Sequence, residues 1–345
     1  MMKRIASLVL TLASVAVPLQ ASAHHSMAEW DTSIIDEMEG EVVNIVWRNP
    51  HIRWTMKIRN EEGEDELWTM AGTSPNHLTR RGVTADTLQV GEVIRVVGSP
   101  STRRALNFIV NSALMPDGAE VLLRGLGPAV TPHWPDARAV IGTGEWGDAE
   151  AASAEPSGLF TVWKAVRGVG GREPLSLTPE AESVLATWNE ADNWVVRCER
   201  RGMPSTMGNP YPREFVEEGD TIVLRIEEHD NLRVIHMADD IDPATQPLSR
   251  LGFSIGRWEN ERTLVVETSR INFPWFNTSG VPQSDEAKVV ERFTLSENEL
   301  RLSYEMTATD PATLTAPARS RGEWMAVPGI EIQPFDMDCA DNAYL

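Results

Sequence analysis

The second half of the chain is written in period two. Residues 221–227 and 232–237 alternate apolar and polar side chains around His229-Asp230-Asn231. Gly256-Arg257-Trp258 and residues 264–267 do so around Glu259-Asn260-Glu261, and residues 289–295 and 300–306 around Ser296-Glu297-Asn298. Alternation of this kind buries one face of a strand, and loops this short join antiparallel neighbours. A further strand is expected over residues 319–327, and one helix over 179–188 behind the cap Thr178. The pattern predicts an antiparallel meander that closes into an up-and-down barrel of about eight strands, lipocalin-like in shape.

The first half is also strand-rich. Residues 38–47, 52–58 and 67–70 read as strands, broken at Asn49-Pro50 and at the polar turn Glu61-Glu62-Gly63-Glu64. Ser74 as N-cap with Pro75 at the first helical position opens a single helical turn that Gly82 ends. Residues 92–97 and 107–114 supply two more strands. Three strands, a short helix and two strands is the order of a five-stranded OB-type barrel. The expected fold class is therefore all-β: an N-terminal OB-type five-stranded barrel and a C-terminal antiparallel meander barrel. Residues 125–157, rich in glycine and proline and then in small residues over 149–154, read as a linker between domains at 24–124 and 158–345.

Residues 1–23 stand apart from both domains. Lys3-Arg4, the apolar run 5–19 and Ala21-Ser22-Ala23 have the three parts of a cleaved secretory signal peptide. That implies a periplasmic or secreted protein. The alternative, a membrane anchor, is disfavoured because the run is too short to span a bilayer. The chain of 345 residues has 31 Lys and Arg against 51 Asp and Glu, a net charge of −20. This excess of acid argues against nucleic acid or an anionic membrane surface as partner. The imbalance is steeper in residues 125–345, at −17, than in residues 24–124, at −5. Cys198 and Cys339 are the two cysteines. In an oxidising compartment they most simply form one disulfide, the alternative being two free thiols.

Several short stretches resemble a family of uncharacterised bacterial periplasmic proteins. In the first domain these are His24-His25-Ser26, Trp47-Arg48-Asn49-Pro50-His51, Gly72-Thr73-Ser74-Pro75-Asn76 and Arg80-Arg81-Gly82. In the second they include Arg197-Cys198, Gly202-Met203-Pro204, Pro210-Tyr211-Pro212, Gly256-Arg257-Trp258 and Gly280-Val281-Pro282-Gln283-Ser284. The resemblance implies no activity. Where that family often has Gly-His-Ser, this chain has Gly252-Phe253-Ser254.

The residues themselves suggest two sites. Cleavage after Ala23 would make His24 the N-terminal residue, so that its α-amine and imidazole chelate one metal ion together. A third nitrogen from His25 or His51 would complete a T-shaped site suited to copper. The plainer alternative is a polar terminus and a surface histidine. In the barrel, Arg225 and Arg233 are charged residues on strands, and Trp258 and Trp275 lie on or beside strands. Facing inward they would line a cavity for a small apolar ligand. Gly252-Phe253-Ser254-Ile255-Gly256 has the spacing of a nucleophile elbow. A hairpin follows it and no histidine lies beyond His236, so it is not read as catalytic. The leading expectation is a binding protein holding a small apolar molecule in the barrel, with copper at the mature N-terminus. An enzyme acting on a small hydrophobic substrate and a structural module are the alternatives.

Overall fold

A computed structural model describes residues 29–124, 131–144, 146–155, 158–189, 193–195, 199–238, 240–335 and 337. The first barrel is built from β1 (Asp36–Val46), β2 (Arg53–Arg59), β3 (Asp65–Ala71), β4 (Val93–Pro100) and β5 (Asn107–Leu114). β1 pairs antiparallel with β2 and β4, β2 with β3, and β4 with β5. A parallel pairing of β3 with β5 closes the ring. Helix α1 (Pro75–Thr79) lies between β3 and β4, capped by Ser74 as expected. Alternate residues of the strands, among them Trp54, Met56, Met70, Val96 and Phe108, fill the interior. Gly98 sits at the register shift between β4 and β5, where a Cβ would lie 1.9 Å from the Ile109 carbonyl oxygen, so only glycine permits that approach.

Residues 131–155, within the stretch expected to be a linker, carry structure of their own. After β6 (Ala119–Leu122), the strand β7 (Ala139–Ile141) pairs parallel to it and extends the first sheet. Helix α2 (Asp148–Ala152) follows. Trp146 packs with Val162 and Val327 of the second barrel. One tryptophan thus converts a glycine-rich connection into a contact between the two halves.

The second barrel has nine strands in a closed ring. They are β8 (Val162–Ala165), β10 (Arg213–Glu218), β11 (Thr221–Ile226), β12 (Asn231–His236), β13 (Phe253–Asn260), β14 (Thr263–Ser269), β15 (Lys288–Leu295), β16 (Arg301–Thr309) and β17 (Ala318–Ala326), and β17 returns to β8. The short strand β9 (Gly171–Arg172) pairs with β17 beyond the end of β8, and α3 (Pro179–Ala186) starts after Thr178. The expected hairpins are present as β11–β12, β13–β14 and β15–β16. The pattern did not reveal β8, which has four residues, or β10, in which three of six residues are Glu.

Strand parity explains the departure from a pure meander. A ring in which every neighbour is antiparallel closes only with an even number of strands. Nine strands need a parallel contact, and β12–β13 provides it. The five-stranded ring obeys the same rule through β3–β5. Phe215, Phe293, Tyr304 and Trp324 dominate the second interior, with Tyr304 and Trp324 stacked at 5.1 Å. No helix among the described residues is long and apolar enough to cross a membrane.

Candidate functional site

The parallel contact leaves an opening. β12 and β13 share two register pairs, Ile235 with Ser254 and His236 with Ile255. Earlier in β12 the facing chain is no longer a strand: residues 249–252 form a turn closed by the Gly252 N–H to the Ser249 carbonyl at 3.0 Å. Gly252 has φ +72°, and a Cβ there would meet the Ser269 carbonyl at 2.6 Å, which fixes the turn against β14. Between that turn and β12 lies a slot of about 280 Å³. The slot opens on the outer face of the barrel, where Leu232, Val234, Leu251 and Phe253 give it apolar walls and His236 and Arg250 basic ones, with Arg233 behind them on the inner face of β12. Leu232 is 60% exposed and forms the rim. The imidazole of His236 stacks on Phe253 at 4.6 Å and 21°.

Arg233 is the deepest of these groups, 1% exposed and inside the ring. Its guanidinium pairs with Glu291 and donates to Thr268 Oγ1 at 2.6 Å, and its Nε donates to Ser254 Oγ at 3.1 Å. Glu291 also accepts from the Tyr304 hydroxyl at 2.9 Å. Burial, with the adjacent Glu291 charge, raises the pKa of Tyr304. Ser254, the serine of the elbow-like motif, is thus a hydrogen-bonding member of a buried ion-pair network. Arg213, also inside, donates to the carbonyls of Met207 (3.1 Å) and Asn209 (2.7 Å) and lies over Trp324 at 4.2 Å. Burial brings its pKa down to about 10.

The other three ligand candidates are placed elsewhere. Arg225 is on the outer face, paired with Glu214 at 2.8 Å. Trp258 is also outward and 41% exposed. Trp275 lies in the segment between β14 and β15, edge-on to Trp188 at 4.6 Å. Of the four, Arg233 alone lines the slot. Glu291 was legible in the alternation Val289, Glu291, Phe293, Leu295, where it occupies an inward position. Arg250 and His236 carried no comparable signal.

A second polar cluster lies where the barrels meet. Asn49 Nδ2 donates to Asn76 Oδ1 at 2.9 Å, and Asn76 Nδ2 donates to Glu227 Oε1 at 3.0 Å. Arg80 pairs with the same carboxylate, its Nη1 2.9 Å from Oε1. Residues 331–335 run through this seam: the Gln333 N–H donates to Glu227 Oε2 at 2.8 Å and the Phe335 N–H to Asp230 Oδ1 at 3.0 Å. His77, 1% exposed, stacks between Tyr211 at 4.7 Å and Trp146 at 6.2 Å. Among the described residues neither ring nitrogen has a hydrogen-bond partner. Burial, with Arg80, Arg81 and Arg167 nearby, lowers its pKa to about 3. Several stretches that carried the family resemblance, around Asn49, Asn76, Arg80 and Tyr211, therefore converge on one interface.

Of the metal candidates, His24 and His25 lie outside the described residues, as do Cys198 and Cys339. His51 is half-buried, with Nδ1 3.0 Å from the Gly72 carbonyl oxygen. A carbonyl only accepts, so Nδ1 carries the proton and Nε2 keeps the lone pair. Burial lowers the pKa of this ring and favours its neutral form. Among the described residues no group of three or more His, Cys, Asp or Glu could hold a metal ion.

Fold and site together define a class, an all-β protein of two closed barrels with a basic slot in the larger one. Residues 11–106, less than a third of the chain, match the model of a family described as a family of unknown function, DUF6152. No curated protein matches the chain.

Proposed function

We propose that the chain is an exported binding protein that takes a small, mostly apolar molecule in the slot between β12 and β13. One observation carries the reading: an open slot of about 280 Å³ on the outer face of the barrel, with apolar walls and a few polar groups, placed where the ring is splayed. The slot would fill with a compact body packed on Phe253 and Val234. Indole is a suitable probe. Saturable binding to the processed protein, lost in Val234→Trp, supports the reading; binding unaffected by Val234→Trp overturns it.

We also propose copper at the processed N-terminus, with the His24 amine and imidazole and a third nitrogen from His51 or His25. The hydrogen bond from His51 Nδ1 to Gly72 favours His51, because it leaves Nε2 as the nitrogen able to ligate. Cu(II) titration of protein beginning at His24 should give tighter binding than of protein retaining Ala23. Equal affinities would exclude the terminal amine as a ligand. Loss of about tenfold or more in His51→Ala would assign the third nitrogen.

A further inference from the structure

The slot is basic on a protein that is acidic. The chain has net charge −20, yet among the described residues the slot is lined by Arg250 and His236, with Arg233 behind them, and by no carboxylate. The two arginines are not equivalent. Arg233 is engaged by Glu291, Ser254 and Thr268, so its charge is already neutralised inside the ring. Arg250 is half-buried, and among the described residues its guanidinium has one hydrogen-bond partner, the Arg201 carbonyl oxygen. A guanidinium carries five N–H donors in a planar fork that matches a carboxylate. Most of that fork is unused, at the edge of an apolar cavity.

We propose that the ligand of the slot is a small organic monocarboxylate and that Arg250 holds its carboxylate group. This rests on the reading of the slot as a ligand site and adds the chemical class. The slot, about 280 Å³ and open on its outer side, has room for a body of roughly ten non-hydrogen atoms. That is the size of an aromatic acid or a medium-chain fatty acid. The apolar body lies on Leu232, Val234, Leu251 and Phe253, and the head reaches Arg250. Burial and the neighbouring Arg200 both disfavour the charge on Arg250, so an anion arriving there compensates a cost already present.

The test uses the processed full-length protein and calorimetric titration at pH 7 with benzoate and hexanoate, each against its neutral amide. At least one acid should bind tenfold or more tighter than its amide. Arg250→Gln should remove that preference by weakening the acid about tenfold more than the amide, and Arg250→Lys should restore part of it. Leu232→Glu places a carboxylate at an exposed rim position, where folding is not at risk, and should weaken the acid selectively. Acid and amide binding equally well to the wild type, or a preference that survives Arg250→Gln, overturns the carboxylate assignment and leaves the slot as a binding site. If neither acid nor amide binds the wild type, the carboxylate assignment falls, and the indole titration of Val234→Trp decides the ligand-site reading separately.

Discussion

His77→Phe should uncouple part of this protein's stability from pH. His77 is buried with both ring nitrogens unpartnered, and its pKa in the folded protein is about 3. In the unfolded chain an imidazole titrates near ~6.5. The folded state therefore holds the neutral ring while the unfolded state takes up a proton. Stability from this residue is complete above about pH 6.5, is lost as pH falls, and levels off only below about pH 3. At ~1.4 kcal/mol per pH unit, the loss between pH 7 and pH 5 is about 2 kcal/mol. Phenylalanine keeps the stacking between Tyr211 and Trp146 and cannot take the proton. It also removes buried polar atoms that lack partners, so the variant should be at least as stable as the wild type at pH 7. Urea unfolding followed by tryptophan fluorescence at both pH values gives the comparison. His51 and His229, also lowered by burial, titrate in both proteins and cancel. The variant should gain about 2 kcal/mol relative to wild type on going from pH 7 to pH 5. Parallel pH dependence of the two proteins would refute the reasoning.

Three further outcomes are expected. Glu227→Gln leaves the buried Arg80 guanidinium without its carboxylate and should cost about 3 kcal/mol, with faster proteolysis between the barrels as the readout. Arg233→Met strands Glu291 inside the second barrel and should cost about 3–5 kcal/mol; Arg233→Met combined with Glu291→Leu should recover most of it, measured as a double-mutant cycle. Thiol titration of the denatured, unreduced protein should find neither Cys198 nor Cys339 reactive, and two reactive thiols would refute the disulfide.

The architecture was legible wherever alternation ran long. The five strands of the first barrel, the Ser74 cap and the three hairpins of the second all carry local signals that periodicity and turn chemistry can read. What was hidden depends on partners distant in the chain. β8 has too few residues to show a period, and it finds its place only by pairing with β10 and β17. Strand alternation places Arg233 in phase with Ile235 but does not say which phase is inside. The site was less legible still. Arg250 reaches the slot from a turn, where no period applies, and Glu227 reveals its role only when Arg80, some 147 residues earlier, is brought against it. The His77 ring has no hydrogen-bond partner among the described residues, so no spacing of ligand types could have singled it out.

The segment at residues 331–335 sets an order on how the protein is assembled during synthesis. The first barrel has every strand it needs once residue 114 has emerged, and it can close alone. The second cannot close until β17 is made, because β8 waits for it across the whole domain. The seam waits longer, since Gln333 and Phe335 supply N–H groups to Glu227 and Asp230. In a chain delivered N-terminus first, the carboxylates of the seam thus stand without these partners until residues 333–335 have emerged, after both rings are complete. Truncation after residue 330 would preserve both rings and remove the Gln333 and Phe335 N–H groups from Glu227 and Asp230, leaving Asn76 and Arg80 to hold the seam.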